Sequence, residues 1–252
     1  MKASGGIHMA GFIEKLIHGD RKEKTAHCSV IVAAAGSSTR MGGLDKLYLK
    51  LGDKPVLIHT LTALNHCTEV DEIIVVARAD DIGYVAGLCR EHSITKAVKV
   101  IAGGDTRLIS VYNGVQAVSP DAEIIAIHDG ARPFVTGGLL EGVVNAAVKY
   151  SAAAPAIPVS STVKQAKNGI VIKTVDREEL FEIQTPQAFS AELIKGALQN
   201  AIDKTLYITD DCMAVEALGC PVRLTEGSKL NIKITTQADI AFAETIINMR
   251  IV

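Results

Sequence analysis

A run of small and β-branched apolar residues, Val30-Ile31-Val32-Ala33-Ala34-Ala35, stops at Gly36 and gives way to Ser37-Ser38-Thr39-Arg40-Met41-Gly42-Gly43, with Lys46 just beyond. No polar residue interrupts the run, so it reads as a strand buried on both faces. Strands of that kind belong to parallel sheets covered by helices. A loop leaving the carboxyl end of such a strand lies where open α/β sheets bind their ligands. This loop offers small residues, backbone N–H groups, hydroxyls and two cations, which together suit a polyphosphate. A plain strand–loop–helix in which serine and glycine are incidental fits the same letters. No glycine precedes a Lys-Ser or Lys-Thr pair, which excludes a P-loop, and Gly36 lacks the further glycines of a dinucleotide fingerprint.

The 252 residues contain no linker-like stretch, and one domain is expected over 28–252. Hydrophobic content of 48% with only 4% aromatics predicts a core of Ala, Val, Ile and Leu, as in a sheet with helices on both faces. A formal net charge of −2 gives no general attraction to nucleic acid or to an anionic membrane, so neither is expected as a partner, and phosphate binding must rest on local cations. The five cysteines are scattered and form no Cys-x-x-Cys pair, in keeping with a reducing cytoplasm. His59, His66 and His92 do not have zinc-site spacing. Residues 1–27 hold no apolar stretch long enough for a signal peptide or a membrane span and are expected to be an N-terminal extension. Within it, 1–8 read as a remnant ahead of a start at Met9.

Further along, Pro55 to Cys67 has helical spacing, and Val70 to Ala77 and Ala97 to Ala102 are β-branched runs. Asp105 is placed to cap a helix from Thr106 to Val118. Glu123 to Ile127 is a further strand, ending in His128-Asp129-Gly130-Ala131-Arg132-Pro133. Alternating strands and helices predict a doubly wound, mostly parallel Rossmann-like sheet whose strand ends at Gly36, Gly103 and Asp129 converge on one crevice. Between Ala156 and Glu182 the pattern changes: Val159 to Ala166 and Ile170 to Val175 flank Asn168-Gly169, a strong hairpin signal. An isolated hairpin is marginal in water, so this protruding arm, about 159–180, is expected to pack on a second subunit or on its own domain. Ala191 to Ile202 and Asp210 to Leu218 are helical, Val222 to Leu224 and Ile232 to Thr235 are short strands, and Thr236 with Asp239 opens a closing helix to Met249 in capping-box fashion.

Asp129 lies where an acid can hold a ribose hydroxyl or magnesium, and Arg132 where an arginine can fork onto a phosphate, although an internal Asp–Arg pair reads equally well. Lys233 in a short apolar strand is either functional or a snorkelling edge residue. Arg177 is a candidate cation or a solvated charge. No serine has an evident base partner, so cations without a nucleophile point to direct transfer, with positioning and charge stabilisation doing the catalysis.

Taken in order, Ala-Ala-Gly with Arg40-Met41 and Lys46, Gly103-Gly104 with Arg107 and Ser110, His-Asp-Gly-Ala-Arg-Pro, Thr174-Val175-Asp176-Arg177, Gln184-Thr185-Pro186-Gln187, Thr209-Asp210-Asp211 and Asn231-Ile232-Lys233 resemble the 2-C-methyl-D-erythritol 4-phosphate cytidylyltransferase family. The resemblance runs from about Cys28 to the C-terminus. It implies a cytidylyltransferase of non-mevalonate isoprenoid biosynthesis that joins CTP to a polyol phosphate and releases pyrophosphate, with Mg2+ as cofactor. By the same resemblance Arg40 and Lys46 are the catalytic pair on the CTP phosphates, and Ala34, Ala35, Gly36, Gly104, Ser110 and Asp129 hold the nucleotide, Asp129 also on the metal side. Arg132, Thr162, Arg177, Thr185 and Lys233 hold methylerythritol phosphate, with Arg177 and Lys233 aiming its phosphate for in-line attack. A homodimer is implied in which Thr162 and Arg177 serve the partner's site. A ribitol 5-phosphate cytidylyltransferase is the alternative, with a non-catalytic nucleotide-binding regulator and a Rossmann oxidoreductase further off.

Overall fold

In this computed structural model the described residues are 26–36 and 46–249. The N-terminal extension up to residue 25 and most of the polyphosphate loop, Arg40 included, lie outside them.

The apolar run forms β1 (Cys28–Ala34). A small antiparallel pair, β2 (Lys50–Leu51) and β3 (Lys54–Pro55), leads into α1 (Val56–His66). Then come β4 (Glu72–Ala77), α2 (Ile82–Glu91), β5 (Ala97–Ala102), α3 (Arg107–Ala117) and β6 (Ile124–Asp129). Strand β1 lies between β4 and β6 and is parallel to both, with Val30 opposite Ile73 on one side and Ala126 on the other, and β5 adds in parallel beyond β4. Each crossover carries a helix over the sheet, as parallel pairing requires.

The chain continues through α4 (Gly137–Tyr150), β7 (Ala152–Pro158), the hairpin β8 (Val163–Lys167) and β9 (Ile170–Val175), β10 (Phe181–Ile183) and β11 (Gln187–Ser190). It ends with α5 (Ala191–Asp203), α6 (Asp211–Glu216), β12 (Arg223–Glu226) and α7 (Gln237–Asn248). Strand β11 joins β6 to β7 and is antiparallel to both, β10 pairs antiparallel with β7, and β12 pairs parallel with it. The sheet is therefore mixed and mostly parallel, running β10-β7-β11-β6-β1-β4-β5 with β12 on β7.

Alternate residues of the central strands feed two cores. Val30, Val32, Ile73 and Val75 pack with Leu57 and Leu61 of α1, Val85 of α2 and Leu140 of α4. Ile31, Ile74, Ile125 and Ile127 pack on the opposite face with Val111 and Val115 of α3, Ile194 and Leu198 of α5 and Phe189. Each fully buried side chain of this size contributes about 2–3 kcal/mol. Period-two alternation between two dry faces is the doubly wound layout expected from the sequence.

Asn168 and Gly169 both have positive φ, 52° and 78°, as the two-residue turn of the β8–β9 hairpin requires. The hairpin forms its own two-stranded sheet and starts at Val163, not Val159, because Val159 instead donates to Leu180 O and prolongs the pairing of β7. Ile170, Val171 and Ile172 are exposed along it.

Two expectations change. Thr106, not Asp105, caps α3: its backbone is extended and its Oγ1 accepts from Ile109 N–H at 3.2 Å. Residues 232–235 form no strand: Ile234 N–H bonds to Ala131 O while Ile232 N–H turns back to Leu230 O, so Lys233 sits in a loop strapped over the end of β6. The Thr236–Asp239 capping box is formed as read.

Candidate active site

The ends of β1, β5 and β6 meet as their sequences imply. A Cβ on Gly103 would come within 2.6 Å of Ala35 Cβ and 2.8 Å of Ser110 Oγ, so only glycine lets the loop after β5 lie against the end of β1. Ser110 Oγ accepts from Gly104 N–H at 3.0 Å and lies 2.8 Å from Thr106 O, to which it donates, fixing the backbone at the crevice floor. Above it opens a cavity of about 480 Å³ whose lining includes Ala35, Gly36, Lys46, Gly104, Ser110 and Asp129. Lys233 and Arg107 line it as well.

Asp129 ends β6 and is almost wholly buried. Its Oδ2 takes Lys233 Nζ at 3.0 Å and Arg132 Nε at 3.2 Å. Burial pushes its pKa up, but Lys233, Arg132 and Arg107 pull harder, and the carboxyl falls from its ordinary 3.8 to about 2. A carboxylate held below its unfolded value stabilises the fold above that value and loses this contribution as the pH falls toward 2. Asp129→Asn should therefore cost about 2 kcal/mol in urea unfolding at pH 7. The deficit should close as the pH is lowered from about 4 to 2, and a deficit independent of pH would contradict the ion-pair account.

Arg107 forks onto Asp211, Nη1 to Oδ1 at 2.9 Å and Nη2 to Oδ2 at 2.6 Å. Burial opposes the charge on Arg107, but Asp211 outweighs it and holds the guanidinium above its ordinary value. Gln187 Oε1 in turn accepts from Asp211 N–H at 3.0 Å and Cys212 N–H at 3.1 Å, pinning the start of α6. This pair, with Asp211 buried and Arg107 partly exposed, anchors the cation-bearing wall of the cavity, which the sequence shows only as matching motifs.

A second cavity of about 460 Å³ adjoins the first and shares Lys233 with it; Arg132, Ser160, Glu182, Gln184 and Asn231 also line it. Arg132 Nη1 donates to Asn231 O at 2.7 Å, so the loop after β6 and the strap bearing Lys233 are tied together. The site is thus two chambers with a lysine at their junction and a carboxylate beside it. It can hold two anionic ligands side by side.

The family model described as IspD: 2-C-methyl-D-erythritol 4-phosphate cytidylyltransferase matches residues 28–249. The chain belongs to this family. It is a nucleotidyltransferase, with the cytidylyltransferase activity toward methylerythritol phosphate that serves non-mevalonate isoprenoid biosynthesis. Curated relatives of that name include those of Desulforamulus reducens, 42% identical over 87% of this chain and 95% of the relative, and Bacillus cereus, 40% identical over 88% and 98%. Among solved structures, the 4-diphosphocytidyl-2C-methyl-D-erythritol synthase of Anaerococcus prevotii superposes with a TM-score of 0.79 at 33% identity, covering 88% of this chain and 96% of that one. The Thermus thermophilus 2-C-methyl-D-erythritol 4-phosphate cytidylyltransferase gives 0.72 at 32% identity, covering 86% and 98%.

Against the cytidylyltransferase expectations, Ala35, Gly36, Lys46, Gly104, Ser110 and Asp129 share the first cavity, and Ala34 is the buried residue that delivers them. Arg132 and Lys233 face the second. Thr185 is buried beneath Asp129 and also lines neither cavity, its Oγ1 accepting from Asp129 N–H at 3.1 Å. Thr162 and Arg177 line neither cavity; both are exposed at the arm, where Arg177 Nη1 donates to Ser160 O at 2.7 Å. Among the described residues no helix is long and apolar enough to cross a membrane.

Proposed function

We propose that CTP occupies the first cavity and methylerythritol phosphate the second, and that transfer is direct. An oxygen of the acceptor phosphate attacks the α-phosphorus of CTP; a new P–O bond forms as the bond to the β-phosphate oxygen breaks, and pyrophosphate leaves. The observation that carries this reading is the single lysine, Lys233, shared by two adjoining chambers. A cation at the junction can draw the attacking phosphate toward the α-phosphate and reduce the repulsion between two anions. Lys46, with Arg40 in the loop that precedes it, neutralises charge on the α-phosphate oxygens as pyrophosphate departs. The backbone at Ala35, Gly36 and Gly104, with Ser110 behind it, seats the nucleoside.

Mg2+ belongs to this reading. Asp129 lines the first cavity, and its carboxylate would supply a hard oxygen ligand there. Among the described residues no cluster of three ligating side chains exists, which suits a cation held by one carboxylate together with substrate phosphates. Bound there, it would supply charge neutralisation on the triphosphate. Chelation by excess EDTA is expected to abolish turnover, with Mg2+ restoring it; full activity in EDTA would remove the metal from this scheme.

The arm, about 159–180, is read as reaching a second subunit of a homodimer, carrying Thr162 and Arg177 to the partner's acceptor phosphate. Exposed Ile170, Val171 and Ile172 on a ribbon with no face on its own sheet support this. Free thiols at all five cysteines suit a cytoplasmic setting. Incubating the protein with CTP, Mg2+ and either methylerythritol phosphate or ribitol 5-phosphate, and measuring pyrophosphate, tests the acceptor assignment; preference for ribitol phosphate would overturn it.

A further inference from the structure

The turn that opens the strap, Gly227 to Asn231, is held by more bonds than a plain connection from β12 to Lys233 requires. Gln184, buried beside it, engages both main-chain groups of one residue: its Oε1 accepts from Ser228 N–H at 3.1 Å, and its Nε2 donates to Ser228 O at 2.8 Å. Asn231 N–H closes the turn on the same Ser228 O at 3.0 Å, and Ser228 Oγ accepts from Leu230 N–H at 3.2 Å. Gly227 lies so close to its neighbours that a Cβ there would come within 2.8 Å of Gln184 Oε1 and 2.9 Å of Ala156 O. The residue in the middle of this turn is Lys229. It lines the second chamber, and among the described residues its ammonium group forms no ion pair.

The other two cations of that chamber are already partnered. Arg132 and Lys233 share the Asp129 carboxylate, at 3.2 and 3.0 Å, so the three groups together leave one net positive charge. A phosphate monoester carries about −1.5 to −2 near neutral pH. Glu182, on β10, is the remaining charged residue of the lining, and its carboxylate repels a phosphate from that side. We propose that Lys229 is a further binding residue for the acceptor phosphate, supplying from the strap the positive charge that Asp129 offsets on Arg132 and Lys233. A lysine carried by a fixed turn loses less chain freedom on binding than one on a loose loop, which is what the Gln184 clamp contributes. The ammonium group is exposed, so its attraction is modest and sensitive to salt. Lys229 lines the second chamber only, away from the α-phosphorus in the first, and therefore acts on binding and not on the chemical step. The inference rests on the reading that methylerythritol phosphate occupies the second chamber.

Steady-state kinetics on the full chain with CTP, Mg2+ and methylerythritol phosphate tests the role. Lys229→Gln should raise the KM for the acceptor about fivefold and leave kcat and the KM for CTP unchanged, the pattern of lost uniform binding. Lys229→Arg should return the acceptor KM to the parental value, because the charge is restored. Added salt should weaken acceptor binding less in Lys229→Gln than in the parent, a difference that a merely structural role would not produce. A parental acceptor KM in Lys229→Gln, or a defect that Lys229→Arg shares in full, would overturn the inference. So would a salt response identical to that of the parent. Lys233→Ala tests the underlying reading separately. If kcat and the acceptor KM both stay parental there, the acceptor does not occupy this chamber, whereas damage there beside a normal Lys229→Gln defeats only the role of Lys229.

Discussion

Replacing Lys46 by alanine should lower kcat about a hundredfold, a loss of about 3 kcal/mol of transition-state stabilisation, while the KM for CTP changes far less. The asymmetry follows from when the charge appears. In the ground state the triphosphate can be held by backbone N–H groups, by Arg107 and by a metal. As the bond to pyrophosphate lengthens, extra negative charge builds on the α-phosphate oxygens, and a cation fixed in the wall of the cavity stabilises that state more than the one before it. Lys46 lines this cavity and is partly buried, so its attraction is less screened than at an open surface. Steady-state kinetics on a variant with an unchanged unfolding curve is the measurement. An unchanged kcat would remove Lys46 from the chemistry and leave the transition-state charge to Arg40.

Mixing two inactive variants should restore activity. If the arm of one subunit completes the acceptor site of the other, a heterodimer of Lys46→Ala and Arg177→Ala carries one site with both defects and one with neither. Activity of up to about half the parental value per heterodimer is expected under isologous pairing. The geometry that motivates the experiment is the placement of Arg177. It is exposed, lines neither cavity of its own chain, and is attached to a ribbon whose β-branched side chains face solvent. Native mass spectrometry of differently tagged subunits would establish exchange. Exchange without recovery would assign Arg177 to its own subunit.

Much of the fold was legible because its central strands obey one simple rule. Strands β1, β4 and β6 are runs of Val, Ile and Ala with polar residues only near their ends, as burial on both faces requires, and each is legible within a few residues. Strand β7 escaped because Ala152, Ala153 and Ala154 are poor strand formers; only the close covering by α4 and the neighbouring strands makes small residues the right ones there. Helix α4 was hidden by Gly137, Gly138 and Gly142, which weaken its local signal. Conversely, Ile232 and Ile234 alternate with polar neighbours like a half-buried strand, but their segment is a strap whose register is set by Ala131 and Arg132.

The crevice residues were legible one motif at a time, because each sits at a strand end where chain direction and local chemistry coincide. Partnerships across the fold were not. Arg107 and Asp211 are 104 positions apart, and Thr185 meets His128 across 57. Periodicity carries no information over such separations, and only the antiparallel return of β11 beside β6 brings the second pair into register.

The strap around Lys233 also bears on the order in which the protein comes into being. Its ties to Ala131, Arg132 and Asp129 are made by a segment that reaches back to a strand end roughly a hundred residues earlier in the chain. A growing polypeptide can complete β1, β4, β5 and β6 long before Lys233 exists. During that interval Asp129 lacks its lysine counter-ion and the two chambers lack the wall they share. Competence for transfer thus waits for the strap, and a chain halted short of it would have most of its sheet and no junction at which the two anions could meet.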